Sequence, residues 1–250
     1  MQKLTYRVQF VTPAFLGDAN QTGRWRTPPF KALLRQWWRV VYAADHNFAV
    51  DVAAMRREEG LLFGNAWLSH REDNREVADY CKSKVRIRLD KWDEGDLTKD
   101  KWPKDSFVTH PEVKNREGKL LPGGSALYMG FGPLMYDNQR RTTILKANAA
   151  IQAGEAAGLS IAVPAQHAAR FQRVLWLMNR YGTLGGRSRN GWGSFILTPA
   201  DEKSKLDFGT PFIFCRFWRD ALGMDWPHAV GQDGKGALIW QTKRKWAGKN

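Results

Sequence analysis

PPFKALLRQWWRVV, residues 28–41, has the clearest helical periodicity in this chain of 250 residues. Two prolines open the segment, and proline suits a first helical turn because the backbone N–H groups there lack intrahelical partners. The pattern predicts an amphipathic helix whose apolar stripe is buried beneath a sheet. The stripe occupies positions i, i+3, i+4, i+7, i+8 and i+11: Phe30, Leu33, Leu34, Trp37, Trp38 and Val41.

A basic ridge runs beside the stripe, because Lys31, Arg35 and Arg39 recur every four residues. Trp38 lies at the border between the stripe and the ridge. Two interpretations of Trp38 are open. Its ring packs in the core, or it forms a platform on which an unpaired base stacks between cations.

The charge balance of the chain indicates a polyanionic partner. The net charge is +14, and no acidic residue occurs in residues 19–44, while Glu155 is the only one in residues 138–200. Such segments predict a continuous positive face for phosphates, held mostly by arginine, whose planar side chain matches phosphate geometry. An acidic membrane surface is the alternative partner, but it requires an exposed apolar helix face, and core burial explains the stripe of helix 28–41 better. No segment approaches the roughly 20 apolar residues that span a bilayer.

Alternating apolar residues predict strands on both sides of the helix. The predicted order is strand, helix, strand, strand, helix, strand, which indicates an α+β, ferredoxin-like (RRM-like) βαββαβ fold with long insertions. RNA-recognition modules use this architecture. The predicted strands are residues 4–10, 84–89, 126–134, 158–163 and 195–197, and the second helix is residues 165–181.

The domain prediction places the core in residues 1–198, with a charged surface insertion around residues 90–119. Residues 199–250 form either a C-terminal extension or an abbreviated second module. Cys81 and Cys215 fit a reducing cytoplasm and do not indicate a disulfide framework. The five histidines are scattered and none is paired with a cysteine at metal-ligand spacing, so neither a metal site nor a cofactor is predicted.

A glycine-rich loop follows the second predicted helix: residues 182–194, GTLGGRSRNGWGS. Its five glycines allow positive φ and close backbone approach, so that free N–H groups could form an anion-binding nest. The loop lies between a helix and a strand, the reverse of the dinucleotide-binding order, and it lacks the lysine and hydroxyl pair of a P-loop. The sequence favours an RNA-backbone clamp over a simple helix cap and turn. The residues expected to form it are Gly185, Gly186, Arg187, Arg189, Asn190 and Gly191.

Four segments, taken together, resemble the RAMP superfamily of CRISPR proteins. They are TPAFLG (12–17), RTPPFKALLRQWWR (26–39), Glu59 with LFG (62–64), and GGRSRNGWGS (185–194). Their order is similar to that in the first-numbered subunit of the Cmr (type III-B) effector complex. The resemblance implies a non-catalytic, cytoplasmic subunit for antiviral defence. Such a subunit binds CRISPR guide RNA and the guide–target duplex near the guide 3′ end, beside other Cmr/RAMP subunits.

The resemblance also implies particular RNA contacts. They are the loop residues Arg24 and Arg26, the helix residues Lys31, Arg35 and Arg39, and the glycine loop with Arg187 and Arg189. Ala32 departs from the family, which usually has glycine after this lysine. Only about fifty residues follow Leu197, too few for a complete second ferredoxin-like module.

A RAMP endoribonuclease that processes CRISPR repeat RNA is the alternative function. Cleavage needs a general acid and base near the scissile phosphate, typically histidine with lysine or tyrosine. His46 is the only histidine near the proposed RNA face, but a lone histidine at a helix end is more often a C-terminal cap. Asp18 resembles the aspartate with which related backbone subunits cut target RNA, but it has no partner acid in the sequence and is expected to be a solvated loop acid. The prediction is therefore that the chain is not an enzyme.

Overall fold

A computed structural model describes residues 1–20, 22–66, 69–78, 80–206, 215–223, 230–235 and 238–239. The chain is a mixed α+β protein. Its helices are α1 Thr27–Asp45, α2 Val52–Phe63, α3 Ser125–Gly130, α4 Ala168–Tyr181 and α5 Trp218–Gly223. Its strands are β1 Gln2–Phe10, β2 Ser69–Glu72, β3 Arg75–Ala78, β4 Arg86–Leu89, β5 Leu97–Thr98, β6 Phe107–Lys114, β7 Leu120–Gly124, β8 Leu134–Asp137, β9 Thr142–Leu145, β10 Ala149–Ala150, β11 Ala156–Val163, β12 Phe195–Pro199, β13 Cys215–Phe217, β14 Val230–Gln232 and β15 Leu238–Ile239.

The central sheet has four strands in the order β12-β1-β11-β4, and every neighbouring pair is antiparallel. Strand β1 alternates as its sequence predicts: Leu4, Tyr6, Val8 and Phe10 are buried, while the residues between them face the other side. The sheet therefore has one face against the core and one open face. The predicted strands 4–10, 84–89, 158–163 and 195–197 are all confirmed, each with one end shifted by two residues.

Helices α1 and α4 cover the buried face of the sheet. Every residue of the predicted stripe on α1 is buried, and on α4 the buried side includes Phe171, Val174, Leu175 and Met178. These side chains join those of β1 in one continuous core. Both helix predictions are confirmed, and the stripe of α1 is not available to a membrane surface because the sheet and its neighbouring helices enclose it.

Helix α2 was not predicted from the sequence. Asp51 begins it by accepting the backbone N–H groups of Ala53 and Ala54, at 2.8 and 3.2 Å. The helix packs Met55 and Phe63 into the core and buries Glu59 as well. A charged residue in the middle of the buried face weakens the apolar periodicity by which the helix could have been recognised.

The insertion between β4 and β11 contains the two hairpins β6–β7 and β8–β9, helix α3 and the short pair β5–β10. The predicted strand at residues 126–134 is wrong, because α3 occupies Ser125–Gly130 and β8 begins only at Leu134. The physical reason is a cap from elsewhere in the chain. The Asp105 carboxylate accepts the N–H groups of Ala126 at 2.8 Å and Leu127 at 3.0 Å.

Asp105 also binds the hydroxyl groups of Ser125 and Thr143, which ties α3 to β9. Burial raises the pKa of Asp105, but these hydrogen bonds favour the carboxylate and leave the pKa below its usual value. The predicted insertion at residues 90–119 contains β5, a 3₁₀ turn at residues 99–101 and β6.

The last strand of the central sheet, β12, ends at Pro199. Of the predicted C-terminal segment 199–250, residues 207–214, 224–229, 236–237 and 240–250 lie outside the described residues. Cys81 and Cys215 are free thiols. Among the residues that the structure describes, no helix combines the length and apolarity needed to cross a bilayer.

Candidate nucleic-acid interface

The glycine-rich loop between α4 and β12 folds back on itself and is fastened to residues 13–15. Leu184 N–H donates to the Gly193 carbonyl at 2.9 Å. Gly193 and Gly186 donate in turn to the carbonyls of Pro13 and Phe15, at 2.8 and 3.0 Å. Two of the four segments that carry the family resemblance, 12–17 and 185–194, are therefore in direct contact.

Glycine is required where the loop is fastened. Gly193 has φ +72°, and a Cβ there would lie 1.8 Å from the Leu184 carbonyl oxygen. At Gly185 (φ +97°), a Cβ would lie 2.7 Å from the Phe15 carbonyl oxygen. These contacts are with backbone atoms, so a side chain at either position would force the loop away from its support.

The predicted backbone nest does not form at three of its residues. The N–H groups of Gly186, Asn190 and Gly191 already donate to the carbonyls of Phe15, Arg187 and Ser188. Those groups are not aimed at a ligand, so the nest prediction is wrong for them. Asn190 has a structural role as well, because its side-chain amide donates to the Met129 carbonyl at 2.6 Å.

The two loop arginines differ. Arg187 has a left-handed backbone (φ +56°), and its Nε donates to the Phe131 carbonyl, which places the guanidinium beside Gly132. Arg189 is exposed and makes no ion pair with any described residue. The loop thus presents one oriented cation, Arg187, and one exposed cation, Arg189, that has no ion-pair partner among the described residues.

Arg187 stands at the rim of a cavity of about 230 Å³. The cavity lies where the glycine loop, the 15–23 loop and the insertion meet. Lys146, which the sequence analysis did not single out, contributes a further cation to its wall. The lining residues are Phe15, Gly17, Gly23, Gly132, Pro133, Leu145, Lys146, Ala147, Ala149 and Gly186.

Arg24 and Arg26 belong to the same neighbourhood. The Arg26 guanidinium donates to the carbonyl of Gly17, a residue of the cavity wall. Arg24 N–H donates to the Leu16 carbonyl at 3.3 Å, and Arg24 Nη1 lies 3.7 Å from Asp18 Oδ2. Arg26 and Arg187 therefore each lie beside a residue of the cavity wall, Gly17 and Gly132, and Arg24 lies beside Leu16 and Asp18 of the same loop as Gly17. We call Arg24, Arg26, Lys146, Gly186 and Arg187 the cavity cluster.

The basic ridge of α1 lies in a different setting. Glu59 of α2 is 2% exposed and binds both ridge arginines. Arg35 Nε lies 2.7 Å from Glu59 Oε1, and Arg39 contacts the same carboxylate through Nε at 2.7 Å and Nη2 at 2.9 Å. Burial raises the pKa of Glu59, but the hydrogen bonds from Arg39 and Arg35 outweigh it and hold the pKa below its usual value.

Lys31, at the start of the ridge, is half-buried. Burial and the neighbouring Arg35 lower the pKa of its ammonium group. The ridge is therefore an oriented cluster in which one buried carboxylate offsets part of the positive charge. We refer to Lys31, Arg35 and Arg39 as the helix cluster.

Trp38 is a core residue. Its side chain is 1% exposed and contacts the rings of Tyr42 and Phe63, with ring centroids 5.0 and 6.1 Å away. A base cannot stack on a ring that is enclosed on both faces. The inclusion of Trp38 among the RNA-binding residues is therefore wrong, and the core interpretation is confirmed.

In the folded protein, acidic residues from elsewhere in the sequence pair with arginines of the two acid-free segments. Arg170 and Arg173 of α4 both bind Asp45 at the end of α1, with Arg170 Nε 2.9 Å and Arg173 Nη1 2.5 Å from the carboxylate. Glu59 pairs with the ridge of α1 in the same way. The acids come from just outside the two segments, so the prediction of one continuous positive face does not hold on this side of the protein.

The two candidate catalytic residues have structural partners. The ring of His46 stacks on Tyr42 at 4.0 Å, and its Nδ1 lies 2.7 Å from the Tyr42 carbonyl oxygen at the C-terminus of α1. Asp18 Oδ1 accepts the N–H groups of Asn20 and Thr22, which closes the turn. Within the described part of the chain, no three His, Cys, Asp or Glu side chains form a group that could hold a metal ion.

Comparison with known proteins identifies the family. The model of the RAMP superfamily matches residues 7–196, and the chain therefore belongs to that superfamily. No curated protein matches the sequence.

The solved structures that are similar to the chain include the following two. One is Cmr1 from Pyrococcus furiosus in the apo form, with 15% identity and a TM-score of 0.41 over 81% of this chain and 51% of that one. The other is a chain of a type IV-B CRISPR complex, with 12% identity and a TM-score of 0.44 over 90% of this chain and 100% of that one. The chain thus spans about half the length of the Cmr1 chain that it matches.

Proposed function

We propose that this chain is a non-catalytic RNA-binding subunit of a type III-B CRISPR effector complex. In this role it contacts guide RNA and the guide–target duplex near the guide 3′ end, beside other Cmr/RAMP subunits, in cytoplasmic antiviral defence. Membership of the RAMP superfamily supports the CRISPR assignment. The choice of type III-B rests on the order of the four sequence segments described above.

We also propose that the central sheet with α1 and α4 is the ferredoxin-like βαββαβ module. In chain order its elements are β1, α1, β4, β11, α4 and β12. The sheet order β12-β1-β11-β4 supports this interpretation, because it places the first and third strands of the module side by side at the centre.

The cavity cluster is the observation that carries the RNA-binding proposal. Its cations come from three segments far apart in sequence: 24–26, 146 and 187. Arg187 is oriented by the Phe131 carbonyl and Arg26 donates to Gly17, so both guanidinium groups are held at the cavity by backbone contacts and not by acids. Arg24 differs, because its guanidinium lies 3.7 Å from the Asp18 carboxylate. Cations positioned without a counter-charge, such as Arg26 and Arg187, are suited to phosphate oxygens.

The helix cluster can add contacts of a weaker kind. The side chain of Arg35 is 39% exposed although it binds Glu59. An arginine has five N–H donors, so an ion pair with one carboxylate leaves donors that can face solvent or phosphate. We therefore assign the cavity cluster the main contribution to affinity and the helix cluster a secondary one.

The alternative, an endoribonuclease that processes repeat RNA, receives less support. His46 is engaged with Tyr42 and Asp18 with its own turn, as described above. A general acid–base pair needs two groups within reach of one phosphate. The proposal accordingly treats both residues as structural.

Incubation of the purified chain with labelled repeat RNA and with guide-length RNA tests both functions together. We expect retarded complexes and intact RNA. A discrete cut that disappears in His46→Ala would contradict the non-catalytic proposal and favour the endoribonuclease. Co-expression with the neighbouring genes should bring down other RAMP subunits and a short guide RNA. Purification of the chain alone from such an operon would contradict the assignment to a complex.

A further inference from the structure

The open face of the central sheet carries a second basic surface, away from the helices α1 and α4. Strand register defines which side chains share this face, because directly opposed residues of antiparallel strands point to the same side. Lys3 lies opposite Ala162, which lies opposite Arg86. In the next outward row Thr5 lies opposite Ser160, which lies opposite Arg88.

These two rows form a trough one strand wide. Strand β11 supplies the floor, since its outward residues in the two rows are Ser160 and Ala162, both small and half-buried. Strands β1 and β4 supply the walls, with exposed Lys3 on one side and exposed Arg86 and Arg88 on the other. The two walls are about 10 Å apart, which is two strand spacings. We call this surface the sheet trough.

The cations of the sheet trough have no acidic partner in the described part of the chain. Lys3, Arg86 and Arg88 make no ion pair with any residue that the structure describes. Arg7, exposed one row further along β1, makes none either. On the helix side of the sheet, in contrast, Arg35 and Arg170 form ion pairs with acidic residues. No described acidic residue forms such a pair with the cations on the walls of the trough.

One acid closes the end of the trough. Asp90 lies beyond Arg88 on the same face, and its Oδ1 accepts the Gly158 N–H at 2.7 Å. The carboxylate covers the floor at Gly158, where a Cβ would lie 2.5 Å from Asp90 Oδ2. The open part of the trough is therefore basic, and its negative end limits how far a polyanion can extend along it.

The face carries no aromatic side chain among the described outward positions of its four strands. These positions are Lys3, Thr5, Arg7, Gln9, Arg86, Arg88, Ala156, Gly158, Ser160, Ala162, Ile196 and Thr198. RNA-recognition sheets that bind bases stack them on aromatic rings. A sheet without such rings cannot hold bases in that way, but its cations and hydroxyl groups can contact a sugar–phosphate backbone.

We propose that the sheet trough binds the backbone of a single-stranded RNA segment without sequence preference. The proposal rests on the proposed function, since it assumes that the chain binds RNA, and it adds a second surface to the cavity cluster. The trough floor is a single β-strand wide, which suits one extended strand of RNA. Arg86 and Arg88 stand about 7 Å apart along β4, so they can contact successive positions of that chain. Thr5 and Ser160 place hydroxyl groups between the walls.

The first test compares the double variant Arg86→Ala/Arg88→Ala with Arg56→Ala/Lys82→Ala, which removes the same charge from exposed positions away from the open face. Binding of labelled oligouridine is measured over a series of salt concentrations. The slope of log K against log salt should fall by about 1.4 for the trough variant, at about 0.7 per phosphate of a single strand. The control should keep the slope of the wild type. Equal slopes in all three proteins would overturn the proposal.

Oligothymidine of the same length shows whether the trough binds RNA or DNA, since both have a phosphodiester backbone. A slope change with oligouridine supports the proposal, and a change with oligothymidine alone would overturn it. The Arg187→Ala/Arg189→Ala variant is measured in parallel. If that variant binds less RNA while the trough variant equals the wild type, the trough proposal fails and the proposed function stands. If the wild type binds no RNA, both fail.

Chemical footprinting of the wild-type protein supplies a test that needs no variant. Lys3 is acetylated and Arg86 and Arg88 are modified with phenylglyoxal, with and without oligouridine, and the sites are quantified by mass spectrometry. RNA should protect these three residues and leave Arg56 and Lys82 reactive. Protection by a co-purified protein subunit, with none by RNA, would overturn the proposal in favour of an acidic protein surface.

Discussion

The helix side and the open side of the central sheet both carry arginines, but only those of the helix side are paired with acids. Arg35 and Arg39 share the buried carboxylate of Glu59. Arg86 and Arg88, on the open side, have no such partner among the described residues. In the sequence the two pairs look alike, since each lies in an amphipathic element with a basic edge. Their roles differ because of residues that are distant in the chain.

Pairing follows from burial. Glu59 is enclosed between α1 and α2, and an ionised carboxylate without partners would be strongly unfavourable there. The two arginines satisfy it and are held in place in return. Arg86 and Arg88 lie on an edge strand in contact with water, so nothing in the fold requires a counter-charge. Arg86 and Arg88 are therefore more available to a binding partner than the paired arginines of the helix side.

The largest expected effect on stability comes from Glu59. Replacing it by alanine leaves two guanidinium groups close together without their shared carboxylate. We expect Glu59→Ala to lower the free energy of unfolding by about 3 kcal/mol, as for one partner removed from a buried pair. Urea unfolding measures the change. The matched control is Glu58→Ala, whose side chain is 50% exposed and should cost less than about 1 kcal/mol. Equal losses would mean that pairing on the helix side does not support the fold.

Substitutions at two glycines of the 182–194 loop test whether its hydrogen bonds to residues 13–15 hold it in place. Gly193→Ala places a Cβ against the Leu184 carbonyl oxygen, whereas at Gly191 (φ +86°) no atom lies within 4 Å of such a Cβ. Gly191→Ala should cost about 1–2 kcal/mol for its left-handed backbone alone. Gly193→Ala should cost more and should also weaken RNA binding, because the loop must leave residues 13–15. Similar unfolding and binding curves for the two variants would contradict this geometry.

Acidification should weaken the pairing on the helix side of the sheet. The pKa of Glu59 in the folded chain is below its usual value, which is about 4.3 in an unfolded chain. The stabilisation is therefore complete above that unfolded value and is lost as pH falls through the folded pKa. Urea unfolding between neutral pH and pH of about 3 should show a smaller loss for Glu59→Gln than for the wild type. A loss of the same size in both proteins would show that Glu59 is not the source of the acid sensitivity. Asp105, whose pKa is also lowered, would then be the candidate source.

The smallest expected effect is that of the paired arginines on RNA binding. The double variant Arg35→Ala/Arg39→Ala removes two cations that Glu59 partly neutralises. The salt slope of RNA binding should fall by less than one, compared with up to about two for Arg187→Ala/Arg189→Ala. The urea midpoint of the helix variant should fall as well, because Glu59 loses both partners. A slope change larger than that of the loop variant would reverse the ranking of the two clusters.

The sequence predicts the parts of this protein that depend on local periodicity. Helix α1, with its proline start and its stripe, and strand β1, with its strict alternation, follow from patterns within a few residues. The glycine loop could be recognised in the same way. Its attachment to Phe15 could not, since that contact joins residues about 170 positions apart.

The errors have the same origin. The segment 126–134 looks like a strand, but Asp105 starts a helix there through hydrogen bonds from outside the segment. Trp38 looks like a border residue on the helical wheel of α1, but α2, which was not predicted, covers it with Phe63. Glu59 pairs with the ridge for the same reason. Each error concerns a tertiary partner that no window of the sequence contains.

The central claim is that the chain binds RNA through cations that the fold leaves unpaired, chiefly around the glycine loop. The most direct measurement is the salt dependence of guide-length RNA binding by the wild type and by Arg187→Ala/Arg189→Ala. We expect weaker binding by the variant and a slope reduced by up to about two, with an unchanged unfolding curve. An unchanged slope in a folded variant would contradict the claim.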